Sequence, residues 1–137
     1  MPGYLFDADV IVAARKAVEA PSGVLAIFEK VPPESRYLPV QAVAQLRAGI
    51  RQLWHRGATM EALAMESWLE AMLADYAARL LEFDLECALV WARLQGRGGH
   101  IDAQIAAMGI AYGLTVVSGR LDRFAACGLQ LANPFSE

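Results

Sequence analysis

Four aspartates stand where short apolar runs give out. Asp7 follows Tyr4-Leu5-Phe6 and Asp9 lies two residues on; Asp102 opens a helical segment behind the glycine-rich QGRGGH; Asp122 follows the run LTVVS. Carboxylates carried to one edge of a fold by separate segments repel and desolvate one another unless a hard cation binds between them. Magnesium or manganese takes oxygen ligands of this kind. A cation so held activates a water and neutralises charge growing on a phosphate, which is the chemistry of phosphodiester hydrolysis. Taken singly, each aspartate has a plainer role. Asp7 and Asp102 can cap helices, Asp122 can sit in a turn, and Asp9 can be solvated.

The elements that must position these groups follow from hydrophobic period. Residues 4–6, 37–40, 80–83, 114–118 and 129–131 are short apolar strand candidates. Between them lie segments of helical period: 10–20; 22 onward, stopped by Pro32-Pro33; 43–54; a longer stripe through Met60, Leu63, Trp68 and Met72; 85–94 behind a capping Asp84; and 101–112, ended by Gly113. The segments on either side of Gly57 form an antiparallel helix pair. Strands alternating with helices imply parallel pairing through right-handed crossovers. The expected fold is therefore α/β, a single domain over 1–137 whose parallel sheet is flanked by helices in a three-layer sandwich. Ligands collect at the carboxyl ends of strands in such a sheet, which is where the aspartates fall.

Composition narrows the classes. The 137 residues are 56% hydrophobic, ample for one core, and a net charge of −3 argues against holding nucleic acid by bulk electrostatics. A nuclease with a metal and a local basic rim stays open. Cys87 and Cys127 have no zinc-ligand or CxxC spacing, so free thiols in a reducing compartment are expected. With no apolar run near the roughly 20 residues a bilayer span needs, and no signal-like start in MPGYLFDAD, the expectation is a cytoplasmic protein without membrane contact.

One polar residue breaks the pattern. In AVAQLRAGI, Gln45 shares a helix face with Ala42, Leu46 and Gly49, where an inward polar group needs a partner or a role.

YLFDADVI, YLPVQAVAQLRAGI, HIDAQIAAMGIAYGLTVVSGRLDRF and GLQLANPF occur in the order and approximate spacing of the PIN-domain family, and the chain resembles the VapC-like and FitB-like toxins of bacterial type II toxin–antitoxin pairs along essentially its whole length. The resemblance implies a magnesium-dependent (or manganese-dependent) ribonuclease with an acidic pocket. It also implies homodimerisation and neutralisation by a VapB-like antitoxin made from the same operon. Asp7 matches the first acidic position of the family and Asp102 the acid of its "D-x-x-I-A-A" helix start, so these two are the expected catalytic and metal-binding residues. The family's second acid is the Glu of "A-E-L-R-x-G", and here that position is Gln45. An amide brings one neutral carbonyl oxygen, so Gln45 is a weak ligand or a pocket-lining hydrogen-bonding group.

The fourth motif departs as well. Where the family has "T-R-N-x-x-D-F" or "T-R-D", this chain has Ser118-Gly119-Arg120-Leu121-Asp122-Arg123-Phe124. Ser118 keeps the hydroxyl and lines the pocket, Arg120 and Arg123 take the usual Asn-or-Asp and Asp positions, and Asp122 is shifted by one residue. Asp122 and Asp9 are the further metal-ligand candidates; Asp9 could restore charge lost at Gln45 if the strand stays extended through it. Arg47 and Arg120 are rim candidates for substrate or antitoxin, with Arg51 one turn from Arg47. Trp54, Trp68 and Trp91 are expected in the core or a dimer contact rather than as base-stacking platforms. Arg97 and His100 of the glycine loop are read as plain loop residues. Two function classes follow: a ribonuclease toxin, and a catalytically weak or inactive PIN-fold binding protein, the second favoured by Gln45 and the altered fourth motif.

Overall fold

The computed structural model describes residues 2–94 and 100–135. Five short strands, β1 (Tyr4–Phe6), β2 (Arg36–Pro39), β3 (Leu80–Leu81), β4 (Thr115–Val117) and β5 (Leu131–Ala132), form one sheet in the order β3-β2-β1-β4-β5. All four pairings are parallel. Among the described residues six α-helices connect them: α1 (Ala8–Arg15), α2 (Ser22–Lys30), α3 (Val40–His55), α4 (Thr59–Tyr76), α5 (Leu85–Ala92) and α6 (His100–Tyr112).

Period-two alternation in the central strands divides the core. Tyr4 and Phe6 of β1, Leu38 of β2 and Val117 of β4 pack with α1 to α4 on one face. Leu5 and Val116 pack with α5 and α6 on the other. Successive side chains of a strand point to opposite faces, so a buried strand between two helical layers must be apolar at every position. β1 meets this requirement: all three of its residues are buried. The sandwich of helix, sheet and helix is the architecture expected from the sequence.

Element edges differ from expectation by a few residues. α1 stops at Arg15, because Lys16 turns its N–H onto Ala13 and a separate 3-10 turn covers Ala17–Glu19. β3 is two residues long rather than four, and β5 begins at Leu131 rather than 129. Asp84 caps α5 as expected, its carboxylate accepting from Cys87 N–H at 3.0 Å. Both cysteines are free, Cys87 buried and Cys127 half-buried. Trp68 and Trp91 pack at the edges of the two cores, whereas Trp54 is 40% exposed and donates to Glu66. Residues 95–99, including Arg97, lie outside the described residues, and His100 is exposed at the start of α6. Among the described residues no helix is long and apolar enough to cross a membrane.

The C-terminal segment is pinned to the first half of the chain. A Cβ at Gly23 in α2 would overlap the backbone carbonyl of Pro134, which cannot retreat as a side chain would. Gly23→Ala is therefore expected to lower stability by about 1–3 kcal/mol, the usual cost of overpacking. Urea unfolding measures this, and an unchanged midpoint would mean the segment does not press on α2 in solution.

Candidate active site

In the strand order the chain runs outward through β2 and β3 on one side of β1, and through β4 and β5 on the other. The crevice beyond the carboxyl ends of β1 and β4 is thus the topological switch point, the usual ligand site of an open parallel sheet. Asp7 and Ser118 are the residues that follow those two strands, and the Asp7 N–H donates to Val117 O at 3.0 Å. Asp7 is wholly buried. Its Oδ1 accepts the Ala8 N–H at 2.8 Å, so it also caps α1; its Oδ2 accepts the Ser118 hydroxyl at 2.8 Å. The capping and pocket roles coexist in one side chain.

Asp102, in the first turn of α6, is brought to Asp7 by a third party. Arg120 donates from Nη2 to Asp7 Oδ2 at 2.9 Å and from Nη1 to Asp102 Oδ1 at 2.6 Å, bridging the two carboxylates with one planar fork. Arg123 takes the other oxygen of Asp102 at 2.7 Å and donates to the Arg120 carbonyl at 3.0 Å. Partial burial works against the Arg120 charge, but Asp7 and Asp102 outweigh it and hold the guanidinium protonated above its ordinary range. A buried carboxylate without a partner is costly, and Arg120 supplies Asp7 with a charged one. Arg120, expected at the rim, is at the centre. Sequence spacing registered its type and its unusual place in the motif, but not that its reach spans both acids.

Asp9 lies inside α1, not on an extended strand, while Asp7 caps that helix in extended conformation; the two carboxylates take neighbouring partners, Asp7 the Ser118 hydroxyl and Asp9 the Gly119 N–H. Its Oδ2 accepts the Gly119 N–H at 2.9 Å, an approach that a Cβ at Gly119, 3.2 Å from that oxygen, would crowd. Burial, the leading cause, pushes the Asp9 carboxyl above its usual range, and the Gly119 hydrogen bond opposes it. Asp122 takes a different path: it is exposed at the start of a 3-10 turn and accepts from Asn133 Nδ2 at 3.3 and 3.5 Å. Gln45 is half-buried beside Ala42 and Leu46, facing inward as its helix period required. Arg47 forms a 3.9 Å surface ion pair with Glu66, a contact worth little in water.

Asp9, Gln45 and Arg120 line a cavity of about 650 Å³ with Leu46, Met65 and Phe135. Asp9 Oδ1 and Gln45 Oε1 are buried without a hydrogen-bond partner. In kind, the donors fit a hard cation: all are oxygens, two of them lack any donor, and the acidic pair already holds a positive group between its members. In number the set is sparse. Among the described residues no three His, Cys, Asp or Glu side chains gather closely enough to hold a metal.

An acidic crevice at the switch point of a five-stranded parallel sheet in this order defines a PIN-like α/β fold. The chain is 31% identical, over 96% of its own length and 96% of the relative's, to a VapC ribonuclease of Sinorhizobium fredii. It is 36% identical to the plasmid stability protein StbB of Pseudomonas syringae pv. tomato, over 74% of this chain and 77% of that protein. Among solved structures, FitAcB from Neisseria gonorrhoeae superposes with a TM-score of 0.85 at 25% identity, covering 98% of this chain and 99% of that one. DNA-bound VapBC from Salmonella typhimurium shares the fold with a TM-score of 0.74 at 18% identity, over 98% and 99% of the two chains. No family model matches. The chain belongs to the VapC/FitB-like PIN-domain toxins of toxin–antitoxin pairs.

Proposed function

We propose that this chain hydrolyses RNA phosphodiester bonds with a magnesium or manganese ion, and that a cognate VapB-like antitoxin restrains it. The observation that carries the reading is the convergence of Asp7 and Asp102, from opposite ends of the sequence, on a single cationic group at the switch point. Asp7 and Asp102 would hold the ion, with Asp9 and the Gln45 carbonyl oxygen at its edge. Bound there, the ion supplies an activated water and neutralises charge growing on the phosphate. The chain's own groups do the positioning. Ala8 N–H and the Ser118 hydroxyl fix the two oxygens of Asp7, and Arg123 fixes the outer oxygen of Asp102.

Purified chain incubated with cellular RNA is expected to cut it in manganese or magnesium, to stop in chelator, and to be suppressed by the antitoxin encoded beside it. A second reading, a catalytically weak PIN-fold binding protein, is favoured by Gln45 and by the Arg120 bridge. Antitoxin binding without cleavage of any RNA would establish that reading instead.

Exposed Trp54 on α3, and exposed Met60 and Leu63 on α4, further support a homodimer formed through the helix pair. Light scattering at micromolar concentration should give twice the 14.9 kDa chain mass. A monomer without antitoxin would remove the dimer from the reading.

A further inference from the structure

Every carboxylate oxygen of Asp7 and Asp102 is already engaged by the chain itself. Asp7 Oδ1 accepts from Ala8 and Oδ2 from Ser118 and Arg120; Asp102 Oδ1 accepts from Arg120 and Oδ2 from Arg123. A magnesium ion demands near-octahedral oxygen ligands at roughly 2.0–2.1 Å. It cannot take Asp7 Oδ2 and Asp102 Oδ1 together while the Arg120 guanidinium lies across them, and Asp7 Oδ1 faces the Ala8 N–H. We infer that Arg120 is a built-in counter-cation that occupies the metal position, so that the Arg120 bridge and a bound divalent ion exclude one another. The inference rests on the proposed reading of the pocket as a cation site.

Charge and space both support the exchange. Asp7, Asp9 and Asp102 face the guanidiniums of Arg120 and Arg123, so the closed arrangement has little of the excess negative charge that draws a divalent ion. Withdrawing Arg120 restores that excess. The side chain has somewhere to go, because it is 38% exposed and lines the 650 Å³ cavity with Asp9 and Gln45. What holds it in place is the buried charge of Asp7, which would otherwise stand uncompensated. The exchange makes metal affinity a competition between an ion in solution and a cation tethered to the chain.

The test is manganese binding by titration calorimetry, with melting temperature in chelator and in manganese as a second measurement. Arg120→Met is expected to bind manganese at least tenfold more tightly than the parent chain. It should also melt lower in chelator and gain more on adding metal. Arg120→Lys keeps the charge but cannot bridge both carboxylates, so an intermediate affinity is expected, and this variant carries the test if Arg120→Met does not fold. Adding Asp7→Asn to either variant should abolish the gain, which places the ion at the pocket. Equal manganese affinity in the parent and in a folded variant would overturn the inference while leaving a metal site in place. Absence of manganese binding from every folded variant would overturn the metal reading itself, and the inference with it.

Discussion

Asp7→Asn and Asp102→Asn are each expected to abolish manganese-dependent RNA cleavage while circular dichroism stays that of the parent chain. Each substitution removes one of the two negative charges that converge at the crevice, and no third carboxylate among the described residues completes a metal-holding group with them. The loss should exceed the roughly 10–100-fold typical of residues that merely support a metal ligand. Because both groups would serve one ion, the double variant should be scarcely worse than either single one. The fold should tolerate both changes. Asn at 7 can still accept the Ala8 N–H that caps α1, at the cost of turning its amide toward Arg120, and Asp102 is half-buried in the first turn of α6. Wild-type cleavage by either variant would sink the assignment of these residues.

Gln45→Glu should move the protein the other way, tightening manganese binding by about tenfold, or about 1.4 kcal/mol. The change adds an anionic oxygen at nearly constant volume, where a buried amide oxygen now lacks a donor and where Asp9 and Arg120 line the same cavity. Without metal the new charge is a burden. Burial, and to a lesser degree Asp7, already push the Asp9 carboxyl upward, so a further carboxylate in that cavity should lower the melting temperature in chelator by roughly 3–6 °C. Metal should more than restore it. If affinity is unchanged while Asp9→Asn weakens binding, Asp9 has taken over the missing acid and Gln45 only lines the cavity.

How much of this was legible beforehand depended on how local each signal was. Tyr4-Leu5-Phe6 before Asp7, and LTVV before Ser118, identify two buried strands because an apolar run ended by a polar residue is a property of a few neighbours. Parallel pairing follows from the alternation, and the crevice from the parallel pairing, but Asp7 and Asp102 are singled out among the acids by the resemblance to the PIN-domain motifs. Gln45 stands out locally, as a polar break in a helical period. The extended path supposed for Asp9 failed because Asp7 caps a helix at once, turning Asp9 into that helix's first turn. Arg120 was out of reach for a different reason. Its role depends on a fork reaching carboxylates 18 and 113 residues away, which no window along the sequence encodes. An arginine in an acid's place looks like a lost ligand until the geometry puts it between the two carboxylates.

β1 also ties the fate of the site to that of the whole molecule. Leu5 is sealed by α5 and α6, Phe6 by the opposite helical layer, and Asp7 continues the same backbone, its amide bonded to β4. Amides so placed exchange with solvent only through the largest openings, those that cost close to the full free energy of unfolding. Fraying of α2 or of the C-terminal segment would leave the carboxylate pair assembled. The Asp7 carboxylate and the fold are therefore lost together, and a partly opened molecule keeps that group in place until its central strand gives way.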